Sequence, residues 1–230
     1  MTVATTRRVG LLIPSSNTMM EVDFFRGLPA DCTLHTGRMY MEDTTEEGEN
    51  RMLDEFALPA ARDVGTARPD VVVFGCTSAG ALRGNDYDTA LCERISELTG
   101  APTVSTIQSV RSAIRASGAR RVGVITPYVD LLNQRIKESI EADGVEVVSI
   151  SGLGMTENFA IARVPTDEIV DFAAAQLGAL DIDLAFASCT NFGAVQALPA
   201  LRARLGIPVI TSNQAVLDAT ISLLGTPAAA

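Results

Sequence analysis

The sequence predicts an α/β fold of two similar halves, each a parallel sheet flanked by helices, related by an approximate two-fold axis. Short apolar runs rich in β-branched residues alternate with longer stretches of helical periodicity. Two segments that end in Cys-Thr are alike, DVVVFGCTSAG at 70–80 and DLAFASCTNFG at 183–193. The sequence before them repeats in the same register. We therefore expect a duplicated unit, with a candidate active site in the cleft between its halves.

The predicted strands are short, apolar and separated by helices. This alternation is typical of a parallel sheet, because each connection between parallel strands has to cross a face of the sheet. The predicted strands are 9–14, 33–41, 70–75, 102–106, 122–127, 145–150, 184–189 and 208–211. The predicted helices are 46–62, 87–99, 107–117, 130–143, 166–180 and 194–205.

The internal repeat is longer than the two Cys-Thr segments. The tetrapeptide RRVG occurs at 7–10 and again at 120–123, a shift of 113 residues, and a proline follows each copy at the same distance. Asp70 and Asp183 at the start of the Cys-Thr segments are separated by the same shift, as are the two cysteines. Several landmarks in one register indicate duplication rather than chance.

A change of register inside the repeat predicts where the halves differ. The segments GAPTVSTIQSV at 100–110 and GIPVITSNQAV at 206–216 align at a shift of 106. The first half therefore carries seven more residues after its cysteine, in the longer loop at 81–88. We predict a first half formed by residues 1–107 plus 212–230 and a second half formed by residues 108–211.

Composition and charge exclude several classes of protein. The chain has 230 residues, of which 47% are hydrophobic, and a formal net charge of −10. Its basic residues are scattered, so nucleic acid is not expected as a partner. No apolar run approaches the roughly 18 residues of a membrane span, and the first residues lack the apolar core of an export signal. We expect a cytoplasmic protein with no membrane partner.

The cysteines and the single histidine limit the possible chemistry. No two cysteines form a CxxC pair, and disulfides are not expected in a reducing compartment. A Cys/His zinc site therefore lacks ligands, and we predict neither a metal nor another cofactor. A Ser-His-Asp or Cys-His hydrolase would need the one imidazole, that of His35, beside its nucleophile. The four cysteines are Cys32, Cys76, Cys92 and Cys189.

Cys76 and Cys189 each follow a predicted strand, at the position where open parallel sheets bind ligands. The helix that follows offers backbone N–H groups and the positive end of its dipole, which we expect to lower the thiol pKa. Polar residues that could cap these helices or bind a carboxylate come next, namely Thr77, Ser78, Thr190 and Asn191. A symmetric pair in this setting indicates a functional site. The other two cysteines lack the setting and are expected to be structural.

Polar turns follow three other predicted strands. They are PSSNTMME at 14–21, PYVDLLN at 127–133 and GLGMTEN at 152–158. Their hydroxyl, amide and phenol groups can bind a carboxylate. The candidate binding residues in these turns are Ser16, Asn17, Tyr128 and Asn158. We predict that these side chains reach the same cleft as the two cysteines and bind a small carboxylate.

These residues give the chain a resemblance to the aspartate/glutamate racemase superfamily, and within it to the maleate cis-trans isomerase and arylmalonate decarboxylase branch. The resemblance rests on the PSSNT turn, one cysteine per half, the tyrosine after the second RRVG strand and the closing IPVITSNQA segment. It implies two flavodoxin-like halves. It also implies that Cys76 and Cys189 are the catalytic pair and that Asn17, Tyr128 and Asn158 bind carboxylate. Decarboxylases of this branch keep only the second cysteine, whereas the Cys-Thr-Ser sequence is closer to amino-acid and hydantoin racemases.

The activity that the resemblance implies is a cofactor-independent cis-trans isomerisation of a small dicarboxylate, maleate to fumarate. Cys76 would be the covalent nucleophile and Cys189 the acid and base. Three alternatives stay open: a two-base cysteine racemase of an amino acid or related chiral acid, an enzyme like arylmalonate decarboxylase, and a non-catalytic ligand-binding homologue. We further expect a homo-oligomer, either a dimer or a tetramer.

Overall fold

Two four-stranded parallel sheets form the centre of the protein, and the computed structural model describes residues 6–225. The first sheet contains β1 (Arg7–Pro14), β2 (Cys32–Met39), β3 (Val71–Phe74) and β4 (Thr103–Ser105). The second contains β5 (Arg121–Thr126), β6 (Glu146–Gly152), β7 (Leu184–Ala187) and β8 (Val209–Thr211). Their orders, β2-β1-β3-β4 and β6-β5-β7-β8, are equivalent and follow the flavodoxin-like order. The predicted α/β fold of two similar halves is confirmed.

Helices cover both sheets. They are α1 (Met20–Gly27), α2 (Glu46–Arg51), α3 (Ala57–Gly65), α4 (Thr77–Leu82), α5 (Asn85–Thr99), α6 (Thr106–Ser117), α7 (Asp130–Glu141), α8 (Asn158–Ile161), α9 (Thr166–Leu177), α10 (Ala194–Leu205) and α11 (Ser212–Leu224). The predicted helix 46–62 consists of α2 and α3, joined by a π-helical turn at Met52–Phe56. The ranges of the predicted helices did not include α1, α4, α8 or α11, although a helix was expected directly after Cys76, where α4 lies. Within residues 6–225, no helix combines the length and apolar character needed to cross a membrane.

The two aspartates of the internal repeat have the same structural role in the two halves. Asp70 precedes β3, and its carboxylate accepts a 2.7 Å hydrogen bond from the backbone N–H of Arg8 at the start of β1. Asp183 precedes β7, and its carboxylate accepts 2.9 Å bonds from the N–H groups of Arg120 and Arg121 at the start of β5. Each aspartate satisfies donors that the sheet leaves unpaired. The repeat therefore preserves the contact between neighbouring strand ends.

The seven additional residues of the first half lie after Cys76, as predicted. There α4 ends and α5 begins around Gly84, whose φ of +85° is a conformation that side chains other than glycine rarely adopt. In the second half, α10 alone occupies the equivalent stretch. The insertion therefore divides one helix into two without changing the strand order.

The last helix packs on the first sheet although it follows the second sheet in the chain. Val216 and Leu217 of α11 lie in one buried apolar cluster with residues of β1 and β3 such as Leu11 and Val73. This packing supports the predicted assignment of residues 212–230 to the first half, which stays a proposal. Residues 1–5 and 226–230 of that assignment lie outside the described residues. A second, larger apolar cluster includes strands of both sheets, so the two halves share a core.

Candidate active site

The first thiol lies directly beyond β3, a strand whose four residues are all buried. Gly75 separates the strand from Cys76 at a close approach of two backbones, because a Cβ at this glycine would lie 2.8 Å from the carbonyl oxygen of Leu12. Cys76 has an extended backbone and immediately precedes α4, and it is only 4% exposed. The strand end and the glycine thus position the thiol inside the protein.

The second thiol occupies the equivalent strand end beyond β7, in an unusual conformation. Cys189 has a φ of +112°, which is strained for a residue with a Cβ, and it is 5% exposed. Its N–H donates a 3.1 Å hydrogen bond to Ser212 Oγ, and its sulfur accepts a 3.3 Å bond from the N–H of Asn191. Such strain is found at functional sites, where the surrounding contacts maintain it.

Tyr128 follows β5 and brings a phenol to the second thiol. Its side chain is 1% exposed, and its hydroxyl hydrogen-bonds to Cys189. Burial, followed by the nearby charges of Cys189 and Cys76, raises the pKa of Tyr128 well above its ordinary value. The phenol therefore stays protonated and can donate a hydrogen bond at neutral pH. Its interaction with both thiols shows that the two cysteines lie at one site.

Burial raises the pKa of both thiols in the free protein. The pKa of Cys189 is raised to about 11, although the Tyr128 hydroxyl and the N–H of Asn191 act to lower it. The pKa of Cys76 is raised further, by burial first and then by the charge of Glu49. The prediction that the helix N-termini lower the pKa of the two thiols is therefore wrong. The backbone N–H groups act in the expected direction, but the loss of solvation outweighs them.

Asn17 links the first turn to the second half of the protein. Its Oδ1 accepts hydrogen bonds of 3.1 and 3.0 Å from the N–H groups of Met19 and Met20, at the start of α1. Its Nδ2 donates a 3.0 Å bond to Thr190 Oγ1, which in turn donates to the carbonyl oxygen of Gly75. The amide thus connects the start of α1 with the residues beside both thiols.

A second group of hydrogen bonds contains the remaining predicted polar residues. Asn158 Nδ2 donates a 2.8 Å bond to Ser16 Oγ, and Asn158 Oδ1 accepts a 3.1 Å bond from Thr44 Oγ1. Asn191 Nδ2 donates a 2.6 Å bond to the carbonyl oxygen of Asn158 and Asn191 Oδ1 accepts a 2.9 Å bond from the N–H of Thr18. These bonds fix the amides between the two halves.

Two connections meet across this site. The segment between β2 and α2 pairs with the segment between β6 and α8 through an antiparallel bridge of Asp43 and Glu157. The N–H of Thr44 also donates a 2.6 Å bond to the carbonyl oxygen of Thr156. The two thiols of the site are almost fully buried.

All the predicted site residues lie in this one region, and the structure adds three that the sequence analysis missed, Glu49, Thr44 and Ser212. Ser212 could have been found from the repeat, because it corresponds to Thr106 at the shift of 106 residues. Glu49 stands in an acidic helix and gives no local signal that its side chain points inward. His35 lies on the edge strand β2, where its ring contacts Thr33.

Two α/β halves with a thiol at each equivalent strand end define an aspartate/glutamate racemase-like protein. The chain matches the arylmalonate decarboxylase family over residues 9–230, and it belongs to that family. The predicted relationship is thereby confirmed.

Known relatives cover nearly the whole chain. A maleate isomerase of Geobacillus stearothermophilus is 27% identical over 219 residues, which is 89% of this chain and 86% of the relative. An arylmalonate decarboxylase of Bordetella bronchiseptica is 29% identical over 223 residues, covering 96% of this chain and 92% of the relative. The crystal structure of a maleate isomerase variant from Pseudomonas putida S16 with maleate superposes with a TM-score of 0.90, at 28% identity, over 96% of this chain and 93% of that one.

Proposed function

We propose that the protein is a cysteine-dependent cis-trans isomerase that converts maleate to fumarate without a cofactor. The observation that carries this proposal is the convergence of two buried thiols, Cys76 and Cys189, with the Tyr128 phenol at one closed site. The relatives named maleate isomerase, and the similar structure with maleate, support the choice of substrate. A small dicarboxylate suits a site this enclosed.

The carboxylates of the substrate are bound by neutral donors. An amide nitrogen carries two hydrogens, so Asn17 and Asn158 can each keep one internal bond and offer a second N–H to a carboxylate. The hydroxyl protons of Thr77 and Thr190 are donated within the protein, to Ser212 Oγ and to the carbonyl oxygen of Gly75, so the phenol of Tyr128 is the further donor. Directional donors hold the alkene in one orientation relative to the nucleophile, which lowers the entropic cost of the reaction.

The isomerisation proceeds by addition, rotation and elimination. After Cys76 loses its S–H proton to a base of the site, its thiolate donates an electron pair to one alkene carbon. The π electrons move to the adjacent carbon, and that carbon takes the proton of Cys189. The bond between the two carbons is now single, so rotation about it is fast. Cys189 thiolate then removes a proton from the same carbon, the double bond re-forms, and the bond to Cys76 breaks. Covalent catalysis thus replaces one high barrier by several lower ones.

A two-base racemase is the second candidate. Thiols at equivalent strand ends of two similar halves could act on opposite faces of one carbon, with one thiol removing the proton that the other returns. Incubation with maleate and, separately, with L- and D-amino acids distinguishes the two functions. Formation of fumarate, separated from maleate by chromatography, supports the isomerase, and a change in optical rotation supports the racemase.

A mass spectrum after exposure to maleate tests the proposal. Trypsin leaves Cys76 alone in the peptide 63–83, because the bond after Arg68 precedes a proline. In Cys189→Ser, which lacks the thiol needed to complete the cycle, this peptide should gain the mass of one maleic acid. Absence of both an adduct on Cys76 in the variant and fumarate from the wild-type protein would contradict the proposal.

A cytoplasmic location and self-association to a dimer or tetramer are further parts of the proposal, and both follow from the sequence-based expectations. Sedimentation equilibrium of the purified protein tests the second. A mass equal to that of one chain at every concentration would contradict it.

A further inference from the structure

A buried carboxyl group lies beside the thiol pair without any role in the steps above. Glu49 belongs to α2, three residues after its helix begins, and its side chain is fully buried. Its charge acts on Cys76, Cys189 and Tyr128, which places it at the candidate active site. A carboxyl group is costly to bury, so its presence calls for a chemical reason.

A hydroxyl connects this carboxyl group to the first thiol. Ser78 Oγ donates a short hydrogen bond to Glu49 Oε1, and it lies 3.9 Å from the sulfur of Cys76. A serine hydroxyl has one proton to donate and two lone pairs that accept. Since its proton is directed to the carboxyl group, the hydroxyl can accept the S–H of Cys76. The three groups thus form a continuous chain of hydrogen bonds.

The second oxygen of the Glu49 carboxyl group indicates that this group can change its protonation state. Glu49 Oε2 is buried, and it has no hydrogen-bond partner among the described residues. Burial raises the pKa of Glu49 to about 8, while the Ser78 hydrogen bond acts to lower it. The titratable groups that face Glu49 are Cys76, Cys189 and Tyr128. The nearby Arg83 is directed to Asn50 and Asp54 instead.

The thiol of Cys76 needs a group that can accept its proton. Its pKa is raised by burial more than that of Cys189, yet it must lose its proton to attack the alkene. The one histidine of the chain lies on β2 and contacts Thr33. Glu49 is the carboxyl group that a hydroxyl joins to this sulfur.

We propose that Glu49 receives the proton of Cys76 through the Ser78 hydroxyl, an inference that rests on the proposed function. The S–H proton passes to Ser78 Oγ, the original Ser78 proton passes to Glu49 Oε1, and the electron pair left on sulfur forms the bond to carbon. Both protons return along the same path when the thiolate is expelled. Glu49 acts through Ser78 and is therefore a positioning residue for the nucleophile.

The rate of alkylation of Cys76 as a function of pH tests this inference without any turnover. The protein is treated with iodoacetamide, and modification of the tryptic peptide 63–83 is followed by mass spectrometry. In the wild type the rate should rise with pH through a step near the pKa of Glu49, about 8. Glu49→Gln and Ser78→Ala should lose the step and react roughly 10- to 100-fold more slowly at the pH of the wild-type plateau.

Two internal comparisons make the result specific. Glu47→Gln removes an exposed carboxyl group from the same helix and should keep the wild-type profile. Cys92, a buried thiol in the separate peptide 84–94, provides a reference for simple opening of the protein. Glutamine can still accept the Ser78 hydrogen bond, so a purely structural role of Glu49 would leave the pH profile unchanged.

The inference is overturned if Glu49→Gln keeps the step, or if wild-type Cys76 reacts no faster than Cys92 at any pH. These outcomes are separate from a failure of the proposed function. A protein that shows the step but converts no maleate retains the proton path and refutes the isomerase. A protein that converts maleate with an unchanged profile in Glu49→Gln refutes the proton path alone.

Discussion

The Thr77 hydroxyl donates a 2.9 Å hydrogen bond to the Ser212 hydroxyl, and the same Ser212 oxygen accepts a 3.1 Å bond from the N–H of Cys189. Thr77 directly follows Cys76, so one buried hydroxyl at the start of α11 connects the backbone segments that carry the two thiols. Their separation therefore depends on a residue that is distant from both in the sequence. Ser212 also offsets part of the strain at Cys189 by satisfying its N–H.

Ser212→Ala should disturb the relative position of the two thiols and lower the activity, while the fold persists. The change leaves the N–H of Cys189 and the hydroxyl of Thr77 without their partner, which costs about 1 to 3 kcal/mol of unfolding free energy. We expect kcat to fall by at least about 10-fold, because a small misplacement of reacting groups has a large effect on rate. Urea unfolding and maleate turnover measure the two effects. Ser222→Ala, an exposed serine on the same helix, is the control and should change neither.

Each cysteine of the pair should be indispensable. Cys76→Ala removes the nucleophile and Cys189→Ala removes the proton donor, and neither thiol can fill both roles. We expect turnover of maleate to be abolished in both variants with an unchanged circular dichroism spectrum. Cys32→Ala and Cys92→Ala are the matched controls and should retain wild-type activity. More than a few per cent of activity in either variant of the pair would refute the two-cysteine mechanism.

Glu49 should make the protein less stable as the pH rises. Its pKa is raised from 4.5 to about 8 in the folded state, so the folded protein binds the proton more tightly than the unfolded chain. The resulting stabilisation is fully present below about pH 4.5 and is lost as the pH rises to about 8. At about 1.4 kcal/mol for each pKa unit, the loss amounts to as much as roughly 5 kcal/mol.

Urea unfolding of the wild type and of Glu49→Gln, at several pH values between about 5 and 8, measures this contribution. The decline should be clearly smaller in the variant, which cannot ionise at this position. Asp88, whose pKa is raised by burial to about 6, contributes in the same direction in both proteins and cancels in the comparison. Parallel curves for the two proteins would show that Glu49 is not protonated preferentially in the folded state.

Removal of the first thiol alone should favour a different reaction. Cys76→Gly leaves Cys189 as the single thiol, and we expect weak decarboxylation of an activated malonate with compact substituents. Cys189 would protonate the resulting enediolate from one face, so the product should be enantiomerically enriched. Chiral chromatography of the product provides the measurement. A racemic product, or an equal rate in Cys76→Gly/Cys189→Ala, would show that Cys189 is not the proton donor.

Much of the fold could be predicted because its signals are local. The repeat of RRVG, Asp and Cys-Thr at one shift gave two equivalent strand sets, and apolar periodicity located the strands. The predicted site residues follow strand ends, and parallel sheets bring such ends to one edge. The short helix α4 was expected after Cys76, but its bounds were not predicted because six residues carry too little periodicity for a separate assignment.

The sequence by itself determined the duplication, the order of strands and helices, and the thiol at each equivalent strand end, because these follow from residue type and spacing. Only the tertiary structure decided the burial of Glu49, the meeting of Thr77 with Cys189 at Ser212, and the direction of the thiol pKa shifts. Those properties depend on which distant groups exclude water from one another. The loss of solvation depends on the packing of the whole folded protein, so it cannot be predicted from a local sequence pattern.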